Sequence, residues 1–205
     1  MPMRCQESIC EPTPFSRGMI EPMQQPVGLV QDSDLKVQTL VRLAGIAQGN
    51  TVLVPGCGSG FLNPAIAEQV GSEGRVISCD VSAQMIRRLQ KRRLPRNVFS
   101  LVASPRSLPV QDEFCDCIFC VNAFHQFADK AQCLKEFQRV LKKQGHLFIA
   151  DLDQEDPIGS GRQFSPNALL PSRPAMSAFL KDTGFRLLML RDNPQGYVLR
   201  AVRLP

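Results

Sequence analysis

The stretch "TVLVPGCGSGFLNPAIAE", residues 51–68, runs an apolar strand straight into three alternating glycines and then into an apolar-patterned helix. No other part of the chain constrains the fold as strongly. Glycine tolerates positive φ and lets a ligand approach the backbone, while the first N–H groups of the next helix point outward. Gly56, Gly58 and Gly60 read G-x-G-x-G. A nicotinamide or flavin fingerprint is G-x-G-x-x-G, and Phe61 stands where its last glycine would be, which argues against a pyrophosphate ligand.

A second feature follows in "RVISCDVSAQMI", residues 75–86, a short strand that ends in Asp80 and leads into a helix capped by Ser82. An acid at that strand end, 20 residues past Gly60, is placed to accept both hydroxyl protons of a ribose. The plainer reading makes Asp80 a helix cap. Around these motifs the pattern predicts strands over 52–55, 75–79, 98–102, 117–121 and 146–150. Helices are expected over 35–46 (with Gly49 ending the run), 64–70, 83–93, 130–142 and 174–182, plus a short one over 104–108. Such alternation implies a parallel sheet covered on both faces. The last segment, "FRLLMLRDNPQGYVLRAVRL", places two β-rich runs around a turn, a hairpin rather than a crossover. The expected fold class is α/β: a Rossmann-like, seven-stranded, mostly parallel sheet with an antiparallel C-terminal hairpin and helices on both faces.

With 205 residues, 43% of them hydrophobic, the chain is long enough for one sizeable core. We expect an irregular, proline-rich leader over 1–30, able to fold over a pocket, and a single domain over 31–205. No run of 18 apolar residues and no secretory apolar segment occurs, so a soluble, cytoplasmic protein with no membrane partner is expected. The net charge of +5 is local: six basic residues lie in "RRLQKRRLPR", residues 87–96, leaving 18 basic against 19 acidic elsewhere. Without interleaved aromatics this reads as a solvated helix end, and no nucleic acid is expected. Cys57, Cys79, Cys117, Cys120 and Cys133 sit in apolar patterns and read as buried, reduced thiols.

In their order and spacing these motifs resemble those of the class I S-adenosylmethionine-dependent methyltransferases, specifically the small-molecule type with an "LDLGCGTG" loop. "VLVPGCGSG" is similar to the first motif and "VISCDVSAQMI" to the second. "SLPVQDEFCDCIFCVNAFHQFAD" is similar to "LPF-x-D-x-x-FD" and the fourth strand, and "CLKEFQRVLKKQGHLFIAD" to "E-x-x-R-V-L-K-P-G-G". The resemblance covers residues 35–151 and implies S-adenosyl-L-methionine as cofactor. It implies cofactor contacts from Gly56, Cys57, Gly58, Gly60, Asp80, Val81, Ser104, Pro105 and Asn122. Two positions depart from the pattern: Val54 stands where the family carries an acid near the methionine amino group, and Ser104 where an acid accepts from adenine.

Methyl transfer from a sulfonium needs orientation and a dry pocket more than catalytic side chains. "NAFHQF", residues 122–127, falls at the pocket floor, beyond the carboxyl ends of the strands. Asn122 lacks the following prolines of the amino-group methyltransferase motif, which argues against nucleobase or glutamine acceptors. Phe124 and Phe127 are expected to pack in the core. His125 is the candidate catalytic base, since His146 begins the fifth strand at the other end; the alternative is a His that only packs or hydrogen-bonds below the cofactor. Cys115 and Cys117 should share a strand face with Cys120 opposite, so no metal site is expected. Cys5 and Cys10 are the thiols that would serve an arsenic acceptor. Two readings follow: a methyltransferase acting on a small-molecule substrate, possible as a homodimer, or a non-catalytic partner protein of the same fold.

Overall fold

In the computed structural model, which describes residues 34–152, 173–193 and 196–205, strands and helices alternate up to the C-terminal pair. The chain runs α1 (Asp34–Ala44), β1 (Thr51–Pro55), α2 (Asn63–Val70), β2 (Arg75–Asp80), α3 (Ala83–Gln90), β3 (Val98–Val102) and β4 (Cys115–Val121). A 3-10 turn (Phe124–Gln126) then leads to α4 (Lys130–Val140), β5 (Leu141–Leu152), α5 (Arg173–Asp182), β6 (Phe185–Asn193) and β7 (Gly196–Arg203). All seven strands join one sheet in the order β3-β2-β1-β4-β5-β7-β6. The pairs β1–β2, β1–β4, β2–β3 and β4–β5 are parallel, and β7 runs antiparallel to both β5 and β6. This is the expected Rossmann-like class. The order reverses between β1 and β4, which opens a crevice beyond their carboxyl ends.

Two apolar layers hold the sheet. On one face Val37, Val41, Ile66 and Val70 of α1 and α2 pack on Val52, Val54, Phe119 and Phe148. On the other, Leu134 and Phe137 of α4 and Leu180 of α5 pack on Leu53, Ile118, Cys120 and Ile149. Covered on both sides, β4 is apolar at nearly every position, as buried parallel strands are.

Several boundaries differ from the sequence pattern. α1 stops at Gly45 (φ 74°) rather than Gly49, and α3 stops at Gln90, leaving residues 91–96 outside it. The short helix expected over 104–108 does not form. Ser104 Oγ there accepts the Arg106 N–H at 3.3 Å, a side-chain turn competing with helix, and Ser104 bridges Ser107 instead. β5 begins at Leu141, so α4 ends two residues early. Cys115 and Cys117 do not share a face: the pairing of β4 with β5 shifts register between them, and Cys115 joins Cys120 in one layer while Cys117 lies in the other. The leader over 1–30 with Cys5 and Cys10, and the hairpin tip 194–195, lie outside the described residues. Among the described residues no helix is long and apolar enough to cross a membrane.

Candidate active site

The three glycines of the loop after β1 all have positive φ, 67°, 54° and 76°, but only one faces open space. A Cβ on Gly56 would lie 2.6 Å from the Ala123 Cβ, and one on Gly60 2.7 Å from Leu89 Cδ1. Those two glycines let the loop pack against the segment after β4 and against α3. A Cβ on Gly58 would meet nothing within 4 Å among the described residues. Gly58 is where a ligand can approach the backbone.

Asp80 closes the other side. Its Oδ2 accepts the Gly58 N–H at 3.0 Å, and its Oδ1 accepts the Ser82 N–H at 2.8 Å. The cap of α3 is Ser82, whose hydroxyl accepts the Met85 N–H, so Asp80 is not the helix cap of the plainer reading. Beside it Val81 and Phe61 are large apolar side chains left exposed next to the loop. Cys57 is half-buried; burial and the Asp80 carboxylate hold its thiol well above the usual range, which disfavours the thiolate. The buried thiols of Cys79 and Cys133 are likewise pushed up to about 12 by burial.

Beyond β3, Ala103 donates its N–H to the Asp80 carbonyl, which brings Ser104 and buried Pro105 to the same end of the sheet. This loop is tied to α4 by the E-x-x-R pair. Arg139 donates to the carbonyls of Leu108 (2.9 Å) and Val110 (2.8 Å) and to Glu136, while Glu136 Oε2 accepts the Leu108 N–H at 2.9 Å. The Arg139 hydrogen bonds hold the Glu136 carboxyl below the usual range.

The segment after β4 opens on one of four non-glycine residues with positive φ among the described residues. Asn122 has φ 51°, its N–H is spent on the Ala150 carbonyl, and its buried Oδ1 has no partner. Asparagine enters the left-handed region more readily than most non-glycine residues, so the orphaned acceptor is the unusual feature here. Phe124 and Phe127 pack edge to face, as do Phe127 and Phe137, as their core reading required. His125 meets a residue the sequence pattern had not singled out, Asp151 at the carboxyl end of β5. Asp151 Oδ1 is 2.6 Å from His125 Nδ1, and Oδ2 accepts the His125 N–H at 2.8 Å. Lys130 donates to the carbonyls of His125 and Phe127, and burial lowers its pKa.

Asn63 was also missed. It opens α2, is fully buried, and neither side-chain polar atom has a partner among the described residues. Its sequence signal was an amide at a helix start just past the glycines. No three His, Cys, Asp or Glu side chains converge on an ion site among the described residues. A cavity of about 300 Å³ lined by Gln48, Gly49, Val70, Ser72 and Glu73 lies at the opposite, amino end of β1 and β2, away from every group above.

Residues 53–149 match the family described as "Methyltransferase domain". The chain is 31% identical over 117 residues to the ubiquinone/menaquinone biosynthesis C-methyltransferase UbiE of Marinomonas sp., a match covering 55% of this chain and 47% of that protein. The chain thus spans about half the length of such relatives. Among solved structures, a SAM-dependent methyltransferase from Aquifex aeolicus superposes with a TM-score of 0.72 at 26% identity, covering 82% of this chain and 89% of that one. A chain from the complex of the Haloferax volcanii Trm112 methyltransferase activator with a methyltransferase gives a TM-score of 0.72 at 19% identity, over 82% and 88%.

Proposed function

We propose that this chain, whose fold and matched segment are those of the class I S-adenosylmethionine-dependent methyltransferases, binds S-adenosylmethionine beside the glycine loop and methylates a small-molecule acceptor. The observation that carries the reading is the Asp80 carboxylate set against the Gly58 and Ser82 amides. Each of its oxygens accepts one backbone N–H and keeps a lone pair for a ribose hydroxyl. The other residues fit the cofactor as well. Gly58 leaves the approach clear, exposed Val81 and the Ser104–Pro105 turn offer a border for the adenine, and the orphaned Asn122 Oδ1 is an acceptor waiting for a donor.

The bound cofactor supplies an activated methyl group on a sulfonium. The protein's own work is to hold, orient and keep water out.

One observation favours a second reading. Val54 is buried among the side chains facing α1 and α2, so no carboxylate stands where the resemblance puts one for the methionine amino group. A charged hydrogen bond of that kind contributes roughly 1.5–3 kcal/mol, enough to weaken binding about tenfold or more. A non-catalytic partner of the same fold is therefore the alternative. Calorimetry of the whole chain with S-adenosylmethionine and S-adenosylhomocysteine decides. One-to-one binding of both is expected; a folded protein that binds neither turns the assignment to the second reading.

A further inference from the structure

We propose that the corner of the sheet where α3 ends and β3 begins docks on an anionic phospholipid surface, with Arg87, Arg88, Lys91, Arg92, Arg93 and Arg96 on the headgroups and Phe99 in the interface.

All six cations are exposed, and among the described residues no carboxylate pairs with any of them. Other cations near the amino end of the sheet are matched: Lys142 pairs with Asp116 and Arg203 with Glu113. Glu73, at that same end, accepts from the Ser72 hydroxyl instead. The helix dipole accounts for Arg87 and Arg88 alone, because they occupy the last turn of α3 and its field falls off within a turn. Lys91, Arg92, Arg93 and Arg96 lie past the helix end, so a solvated helix terminus does not explain them. Nor do they sit on a loose connection. The Lys91 and Arg92 N–H groups donate to the carbonyls of Arg87 and Leu89, the Val98 N–H to the Pro95 carbonyl, and Asn97 Nδ2 to the Gly71 carbonyl at 2.8 Å. A charged segment already held in place has little backbone freedom left to lose on binding.

Shape and composition select the occupant. Exposed side chains on a corner form no cleft to focus their field, so a small anion is held weakly, whereas an extended polyanion meets many of them at once. A single-stranded nucleic acid stacks its bases on aromatic rings, and residues 83–98 contain none. A duplex takes an element into its groove, and α3 turns only Arg87 and Arg88 outward over one turn. The centre of a protein interface is apolar and depleted of charge, which is the reverse of this patch. A headgroup plane requires none of these features. It attracts clustered Arg and Lys through its surface potential, and one apolar side chain beside them adds the second attachment that interfacial binding needs. Phe99 supplies that attachment. It stands three residues past Arg96, about 10 Å along an extended chain, and is 51% exposed on β3, an outermost strand of the sheet. Docked in this way, the amino end of the sheet meets the lipid, and the crevice beyond the carboxyl ends faces away from it.

Vesicle co-sedimentation of the whole chain tests the surface. The probes are vesicles of phosphatidylcholine alone and of phosphatidylcholine with phosphatidylglycerol in equal parts. The protein should bind the anionic vesicles at least ~tenfold more tightly than the neutral ones, and about 0.5 M salt should release it. Reversing Arg92, Arg93 and Arg96 together to Glu should weaken that binding ~tenfold or more, with S-adenosylhomocysteine affinity unchanged. The control reverses three exposed cations on α4, α5 and β6, Lys135, Lys181 and Arg186, and so makes the same change in net charge; it should bind within about threefold of the wild type. The chain has no tryptophan, so Phe99→Trp is a single reporter, and its emission should shift to the blue on anionic vesicles only. Equal binding to both vesicle types, equal loss in the two triple variants, or an unshifted tryptophan on bound protein overturns the inference. So does retention by double-stranded RNA or by polyglutamate with none on anionic vesicles, which would give the patch to another polyanion. Should the triple variant not fold, the salt dependence and the tryptophan shift still decide.

Discussion

Asp80 at the end of β2 accepts the Gly58 N–H of the loop after β1 at 3.0 Å, so the acid and the open glycine are one unit. Removing the carboxylate frees the loop amide and deletes the acceptor offered to a ribose. Asp80→Ala is expected to weaken S-adenosylhomocysteine about tenfold or more by calorimetry, from the worth of two charge-assisted hydrogen bonds. The circular dichroism of the sheet should not change. Undiminished affinity would leave Asp80 as a loop brace alone.

The glycines separate packing from binding. Gly56→Ala drives a methyl group into Ala123 and should lower the melting temperature, while Gly58→Val, whose Cβ meets nothing within 4 Å among the described residues, should remove cofactor binding with the sheet formed. Both carry the positive-φ cost of roughly 1–3 kcal/mol, so the comparison turns on the clash and not on the strain. Equal destabilisation with binding retained in Gly58→Val would show that the loop does not approach the ligand.

What the sequence revealed was local. The strand–glycine–helix junction, the acid ending β2 and the terminal hairpin each announce themselves within a dozen residues, by period and turn chemistry. Asp151 carries the same signal as Asp80, an acid ending an apolar strand, but its meaning depends on His125, 26 residues away and brought beside it by the pairing of Val121 with Ala150. The face of Cys115 was misread because strict alternation assumes an unbroken ladder, and the ladder shifts between Cys115 and Cys117. Asn63 is fully buried, and a Cβ on Gly60 would lie 3.0 Å from its Nδ2 and 2.7 Å from Leu89 Cδ1, a meeting of α2, the loop and α3 that no single window contains.

Arg139 supports the site at a distance. Its guanidinium satisfies two carbonyls of the loop that carries Ser104 and Pro105, and its removal also strands the Glu136 carboxylate. Asp112 is largely exposed, so its share is screened and counts for little. Arg139→Ala should cost about 1–2 kcal/mol, a fall of roughly 2–8 °C in melting temperature for a chain of this size. Amide exchange should quicken at Leu108 first, since its N–H is held by Glu136 Oε2. Protection there equal to the wild type would mean that the pair is a surface ornament.

His146 gives the fold a pH dependence of definite sign. Burial, and secondarily the positive charge of Arg200, lowers its pKa from the ordinary 6.5, and its Nε2 lies 3.1 Å from Arg200 Nη2, a donor that a protonated ring would repel. The unfolded chain therefore binds a proton at this residue more readily than the folded one. Stability from a neutral His146 is fully present above about pH 6.5 and drains away as pH falls through that value toward the lower folded pKa; below the folded pKa this residue adds no further slope. The urea midpoint should drop between pH 8 and pH 5.5, and His146→Gln, which cannot titrate, should drop less over the same range. The difference between the two curves isolates His146 from the carboxylates and from His125, which both proteins share. Parallel curves would mean that the ring is protonated equally in both states, and that Arg200 holds it by packing and not by charge.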